Sequence, residues 1–345
     1  MTRLFLVVLS GLSLAFSWPH IGFFPFIFFA FVPLLILENQ AKNSREIFLF
    51  SFCSFFIFNI ITTYWVWYAS NFGALFAFFL NSILMSFVFC LYFHVKRKIT
   101  NKLGYFSLIF LWISMEYMHL NWDLSWPWLT LGNVFATFPI LVNWYEYTGF
   151  LGGSFWILLV NLLIFKIFQK HQIKTNFILL FSSILLPISF SLYINYSYSE
   201  DIRNEINVLV VQPNIEPYTE KFTLPSNVQL SEFIKLVEQK LDQKTDLILG
   251  PETALAGSPI DEDNLESSYQ VKVLRSLQKK YPNLNVIVGA ITKKIYTTDS
   301  EITATARFKN NDYYDLYNSL ILIPRKGNIK LYHKSKLVPG AEKMP

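Results

Sequence analysis

The sequence predicts a polytopic α-helical membrane domain followed by an extracytoplasmic α/β domain. Three observations carry this. Of 345 residues, 53% are hydrophobic and 35 are Phe, far more than a water-solvated domain of ordinary composition holds. Charge is unevenly spread: residues 1–200 hold ten of the 29 Lys and Arg and six of the 24 Asp and Glu, while residues 201–345 hold the rest. And the basic residues of the first part fall in alternate gaps between apolar runs, as they do in a chain threaded through a bilayer.

The apolar runs are 3–17, 22–37, 47–68, 72–94, 104–120, 148–168 and 176–194, about seven candidate spans in a domain covering 1–196. Several are short of the roughly 20 residues that cross a bilayer. The first has Arg3 ahead of an apolar core from Leu4 to Phe16, like a signal peptide. Ser17-Trp18-Pro19 is a poor cleavage site and further apolar segments follow at once, so it reads as an uncleaved span. With the N-terminus in the cytoplasm, the inside gaps hold Arg3; Lys42 and Arg45; Lys96, Arg97, Lys98 and Lys102; and Lys166, Lys170 and Lys174. The outside gaps 18–21, 69–71 and 121–147 hold no Lys or Arg. An odd number of spans then leaves residues 205–345 outside, in a periplasm-like space, after a polar linker from Ser197 to Asn204. The net charge of +5 is no nucleic-acid signature, because its basic residues sit in short gaps between spans.

Cys53 and Cys90 both lie in apolar runs and read as small buried groups, not as a disulfide. His20, His94, His119, His171 and His333 have no metal-ligand spacing, so no metal is expected. The outside gap before the sixth span is rich in aromatic residues: Trp122-Asp123-Leu124-Ser125-Trp126-Pro127-Trp128, then Leu131-Gly132-Asn133, then Trp144-Tyr145-Glu146. It reads either as an interfacial aromatic belt or as a surface where lipid gains access, with Trp126, Trp128 and Glu146 as its contact residues. Glu116 and Glu146 are carboxylates at or near membrane depth, where such groups face protein or water.

Beyond the linker, apolar runs alternate with helical patterns. Strands are expected at 206–212, 247–249, 286–290, 317–323 and 329–332, and helices at 226–244 and 265–280. That alternation argues for an α/β layered domain. The strand Leu247–Leu249 runs into Gly250-Pro251-Glu252-Thr253, and Pro cannot continue a central strand. Glu252 therefore stands at a carboxyl end, the ligand-binding end of α/β sheets. By itself it could equally cap a following helix beside Thr253. Lys334 follows the last strand, with Lys336 as a competing cation. Glu342, eight residues on, could join a site or make an exposed ion pair with Lys336 or Lys343.

The segments Val211-Gln212-Pro213-Asn214, Gly250-Pro251-Glu252-Thr253, Tyr317-Asn318-Ser319 and Tyr332-His333-Lys334 occur in the order found in nitrilase-type carbon–nitrogen hydrolase domains. With a multi-span membrane half before it, the chain resembles the apolipoprotein N-acyltransferase family. Lys336 to Pro345 resembles that family's segment after the lysine, as does Pro127-Trp128 with Leu131-Gly132 in the membrane half. The resemblance covers essentially the whole chain. It implies a nitrilase-like α-β-β-α sandwich and a Glu–Lys–Cys site with no cofactor. In that site Glu252 is the general base, Lys334 stabilises thiolate and oxyanion, and Glu342 is an additional carboxylate. Asn318 ties its strand to a loop beside the site and counts among the substrate-facing residues. The implied reaction carries a phospholipid acyl chain to the Cys as a thioester, then to the N-terminal amine of a diacylglyceryl-cysteine on an apolipoprotein. The implied location is a bacterial inner membrane.

The family's nucleophilic Cys follows the lysine by some tens of residues, and the sequence stops at Pro345. The expectation is a C-terminally truncated sequence, a fragment whose sheet is incomplete, with its nucleophile beyond the end. Two other readings stand beside the acyltransferase: a membrane-anchored module that binds lipid or lipopeptide without catalysis, and a hydrolase of small amides or nitriles. A water-soluble substrate gives no reason for so many spans, which weighs against the last.

Overall fold

The computed structural model describes residues 2–99, 101–170, 172–199, 205–216, 219–221, 223–338 and 342. Two compact units account for them, one spanning Met1–Glu200 and the other Asp201–Val338.

The first unit is helical. Its helices are α1 (Arg3–Ser17), α2 (Val32–Gln40), α3 (Ser44–Thr63), the short α4 (Val66–Ala69), α5 (Asn71–Lys98), α6 (Asn101–Leu120), α7 (Tyr145–Phe168) and α8 (Ile173–Ser197). Of these α3, α5, α7 and α8 are long and apolar enough to cross a membrane, and α1 and the segment Phe24–Gln40 are shorter apolar helices. Polar side chains mark the starts: Asn43 Oδ1 accepts from Glu46 N at 3.0 Å to cap α3, and Ser70 Oγ accepts from Gly73 N at 3.0 Å to cap α5.

Inside, aromatic side chains make the core. Trp112 is fully buried, with the rings of Phe31, Phe55 and Phe89 at centroid distances of 5.0, 5.5 and 6.3 Å. Several buried polar groups are tied to backbone, which stands in for the water a bilayer lacks. Asn161 donates to Ile27 O and Ile157 O, both at 2.8 Å, and accepts from Phe31 N at 2.9 Å. Helix α5 runs past the expected end of its span to Lys98, which brings Lys96 out of the expected loop and into the bundle. The buried Lys96 ammonium donates to Glu38 Oε2 and, at 2.6 Å, to Asn39 Oδ1. Removing one partner of a buried ion pair costs about 3–5 kcal/mol, so this contact locks α2 to α5. The cysteines depart from expectation: Cys53 is exposed on α3 and Cys90 is only half-buried. In a bundle surrounded by acyl chains an outward face can be as apolar as the core, so hydrophobicity did not separate the two.

The second unit is α/β. Its strands are β1 (Val208–Val210), β2 (Leu247–Leu249), β3 (Leu255–Asp261), β4 (Asn285–Tyr296), β5 (Arg307–Lys309), β6 (Asp312–Ile323) and β7 (Lys330–His333), with α9 (Ser226–Glu238) and α10 (Tyr269–Lys280). They form one seven-stranded mixed sheet. Strands β1, β2 and β4 run parallel in that order, and β4 pairs antiparallel with β6 over eleven residues, from Val286↔Ile323 to Tyr296↔Tyr313. Leu230, Phe233 and Val237 of α9 and Val271, Leu274 and Leu277 of α10 recur at helical spacing and join Ile248, Val286, Val288 and Ile321 in the core.

The long β4–β6 pair is flanked by shorter strands. Along one edge of β4, β2 pairs with residues 285–287 and β3 with residues 290–293. Along the outer edge of β6, β5 pairs with residues 312–314 and β7 with residues 319–322. The chain leaves β2, turns through 250–254 and rejoins the same edge of β4 as β3. Gly289 lies directly beneath that turn. A Cβ there would stand 2.5 Å from Thr253 N, 2.6 Å from Pro251 O and 2.8 Å from Glu252 Cα. Thr253 closes the turn at φ 47°, a left-handed value uncommon for a β-branched residue.

Replacing Gly289 by Ala should therefore push the turn off β4. The expected cost is about 1–3 kcal/mol, in the range of overpacked sites, read as a lower thermal unfolding midpoint. A midpoint equal to that of the unsubstituted protein would contradict the close approach.

Candidate active site

The turn after β2 and the end of β7 bring a carboxylate and an ammonium together. Lys334 Nζ donates to Glu252 Oε1 at 3.0 Å. Asn318, within β6, donates from Nδ2 to the same oxygen. The backbone sets this convergence: Lys334 N donates to Asn318 O at 2.8 Å, one step beyond the Ser319↔His333 pair of the β6–β7 ladder. Lys221 Nζ donates to Glu252 O at 3.3 Å and adds a second positive charge. No helix follows Glu252; the next element is β3, from Leu255, so the capping alternative does not hold.

The carboxylate is 59% exposed and the lysine 28%, so the pair contributes little to stability, about 0–1 kcal/mol as surface pairs do. Its consequence is for ionisation. The Lys334 hydrogen bond holds the Glu252 carboxyl below the usual carboxylate range, with partial burial opposing and the Asn318 amide and the Lys334 and Lys221 charges assisting. At neutral pH Glu252 is thus a carboxylate, able to accept a proton, with a cation at hand.

Glu342 is an exposed turn residue. Apart from it, the segment 339–345 lies outside the described residues, as do 200–204 of the linker. Trp126, Trp128 and Glu146 belong to the membrane unit. Trp126 and Trp128 meet edge to face at 4.8 Å, and Trp128 meets Trp65 at 5.7 Å. Trp126 Nε1 is buried with no hydrogen-bond partner among the described residues. Glu146 is exposed in the first turn of α7. A cleft of about 1380 Å³ in that unit runs between α7 and α8, and none of these three lines it.

Glu116 has a structural task. Its Oε1 accepts from Trp112 Nε1 at 2.9 Å and from Leu131 N at 2.8 Å, which fastens the aromatic segment to α6. Gly132 then sits against α7, where a Cβ would come within 1.9 Å of Phe150 O, and its N–H donates to Ser154 Oγ at 3.1 Å. Sequence reasoning missed Lys221, which no motif marks. It also missed the contact of His333 with Glu262, though His333 stands inside the quoted Tyr-His-Lys segment.

A carboxylate held by an ammonium and an amide after a strand, and helices long and apolar enough to cross a membrane before it, define a class: a membrane protein with an α/β domain that carries a paired Glu and Lys. Comparison with known proteins narrows this. Residues 10–163 match the family model for the apolipoprotein N-acyltransferase N-terminal domain. An apolipoprotein N-acyltransferase of Rickettsia prowazekii is 30% identical over 99% of this chain and 66% of its own length. That of Chlorobaculum tepidum is 26% identical over 99% of this chain and 65% of its own, and that of Aquifex aeolicus 26% identical over 92% and 66%. The chain belongs to the apolipoprotein N-acyltransferase family. It spans about two thirds of the length of these curated relatives.

If Asn318 and Lys334 together keep Glu252 ionised, removing one donor should let Glu252 titrate at higher pH. Asn318→Leu in the full-length protein should move the acidic limb of its pH–rate profile upward. A limb that stays in place would contradict the arrangement.

Proposed function

We propose that the chain carries the base and the cation of a phospholipid-to-apolipoprotein acyl transfer. The observation that carries this reading is the convergence of Lys334 and Asn318 on Glu252 at the end of β2, in a member of this family. The nucleophile is assigned to a cysteine thiol beyond Pro345, because Cys53 and Cys90 lie within helices of the membrane unit.

In the first half-reaction Glu252 takes the thiol proton and the thiolate attacks the ester carbonyl of a phospholipid. Lys334 stabilises first the thiolate and then the tetrahedral oxyanion. The lysophospholipid oxygen leaves with the proton held on Glu252, and a thioester remains. In the second half-reaction the N-terminal amine of a diacylglyceryl-cysteine attacks the thioester. Glu252 takes the amine proton, the C–S bond breaks, and the thiol is regenerated as the amide forms. A base held below the ordinary carboxylate range is a weak one. When Lys334 turns toward a developing anion, its hold on Glu252 loosens and the carboxylate's proton affinity rises as the proton must move.

Glu342 assists as the further carboxylate, holding Lys334 or supporting the base. Trp126, Trp128 and Glu146 form the surface through which acyl chain and headgroup approach, and Asn318 faces the bound substrate as well as Glu252. The protein belongs to a bacterial inner membrane, with its N-terminus in the cytoplasm and the α/β unit in the periplasm; the Lys and Arg of the inside gaps support this orientation.

In the full-length protein, Glu252→Gln and Lys334→Ala should each abolish thioester formation from acyl-labelled phospholipid. Labelling of either variant at the unsubstituted level would end the acyltransfer reading, and a lipopeptide-binding module without catalysis would replace it. A fluorophore attached near residue 230 should be quenched by an impermeant agent added outside; quenching only from the cytoplasmic face would overturn the orientation.

A further inference from the structure

The end of the β6–β7 ladder carries a second carboxylate, on a different set of side chains from those that reach Glu252. Alternate residues of a strand face opposite sides of a sheet. Asn318 and Lys334 turn to Glu252, whereas Tyr317, Ser319 and His333 belong to the alternate set and meet a cluster around Glu262. His333 Nε2 lies 2.9 Å from Glu262 Oε1, and Thr292 Oγ1 donates to that same oxygen at 2.6 Å. Thr292 Oγ1 is also 2.7 Å from Ser319 Oγ, the residue paired with His333 across the ladder. The Tyr317 ring lies flat on the imidazole, 4.0 Å between centroids and 4° from parallel. Glu262 is 11% exposed and takes part in no contact with Lys334 or Glu252 among those described.

We infer that His333 and Glu262 form a latch that positions Lys334. This rests on the acyl-transfer role proposed above for Lys334. The latch pins the last residue of β7 on two sides: Glu262 holds the edge of the imidazole and Tyr317 covers its face. The next residue is Lys334, whose N–H is bound to Asn318 O at 2.8 Å. With His333 fixed, the Lys334 stem leaves the strand in one direction, toward Glu252. With His333 released, β7 loses its tie to Glu262 and its stack on Tyr317, and the ammonium is held less firmly at the oxyanion position. His333 is a positioning residue in this account: it touches no substrate and acts through its neighbour.

The test uses the full-length protein in phospholipid vesicles with a lipopeptide acceptor. His333→Phe keeps a ring for Tyr317 to cover and removes the bond to Glu262. His333→Gln keeps a donor of similar reach. A second readout needs no turnover: the rate at which Lys334 is acylated by acetic anhydride, followed by mass spectrometry against Lys336 as internal reference. The latch predicts that His333→Phe lowers kcat by up to about 10²-fold with KM little changed, as misplacement of a reacting group does. It predicts faster labelling of Lys334 in the same variant, an unshifted thermal midpoint, and recovery of both rates in His333→Gln. Unchanged kcat and labelling in His333→Phe would overturn it, and so would equal loss in both variants. If His333→Phe does not fold, Glu262→Gln and Thr292→Val carry the same readouts. An unsubstituted protein with no acyl transfer would refute the proposed reaction and leave the labelling result to decide the latch.

Discussion

The antiparallel pairing of β4 with β6 is the constraint on which the α/β unit depends. Both strands outrun every neighbour, so each edge of the pair is covered by two short strands with a break between them. Glu252 lies in the break on the β4 edge and Lys334 follows the strand that ends on the β6 edge. Asn318, paired with Ile291 across the ladder, lies between them and donates to Glu252. A carboxylate and an ammonium meet at that point because two independent excursions of the chain are anchored to one pair of strands. Gly289 makes the closeness possible, since any side chain there would occupy the space of the 251–253 backbone.

The membrane unit follows a different rule. Its surroundings supply no water, and polar groups buried in it bind one another or the backbone across the bundle. Asn161 joins the Ile27 and Phe31 backbone to α7, Lys96 joins α5 to α2, and Glu116 holds the Leu131 backbone to α6. Glu116 was legible in the sequence as a carboxylate at membrane depth. Its partner was not, because a backbone N–H fifteen residues away leaves no mark in the side-chain pattern. The same holds for Lys96, which counted as a cytoplasmic-side charge until the helix was seen to carry it into contact with Glu38.

Much of the α/β unit could be read from residue order. The apolar run at 247–249 stopped at Gly250-Pro251, which put Glu252 at a strand end, and the position of Lys334 beyond the last strand followed from the run 329–332. Three things escaped. Strand β3 holds Gly257, Ser258 and Pro259, which break any alternation, and it is tolerated because it lies at an edge of β4 with an irregular register. Strand β5 has three exposed residues and no apolar signature. The outer halves of β4 and β6, with Lys293 and Lys294 on one and Asp312 and Asp315 on the other, lie outside the apolar core cluster and carry no continuous apolar run. Helix α9 ends at Glu238, six residues before the periodic pattern does, and Asp242 then accepts from Lys244 N at 3.0 Å to shape a turn. At the site, the family resemblance singled out Glu252 and Lys334, whose side chains meet in the structure, whereas the contacts of Lys221 and Glu262 depend on long-range packing alone.

The central claim is that Glu252 and Lys334 serve a thiol that accepts an acyl chain from phospholipid. The most direct measurement is to incubate the full-length protein with phospholipid carrying an isotope-labelled acyl chain and no acceptor, then map the label by peptide mass spectrometry before and after hydroxylamine. The account predicts a single hydroxylamine-labile acyl group, on a cysteine other than Cys53 and Cys90. Label on either of those two cysteines, label stable to hydroxylamine, or no covalent label at all would contradict it.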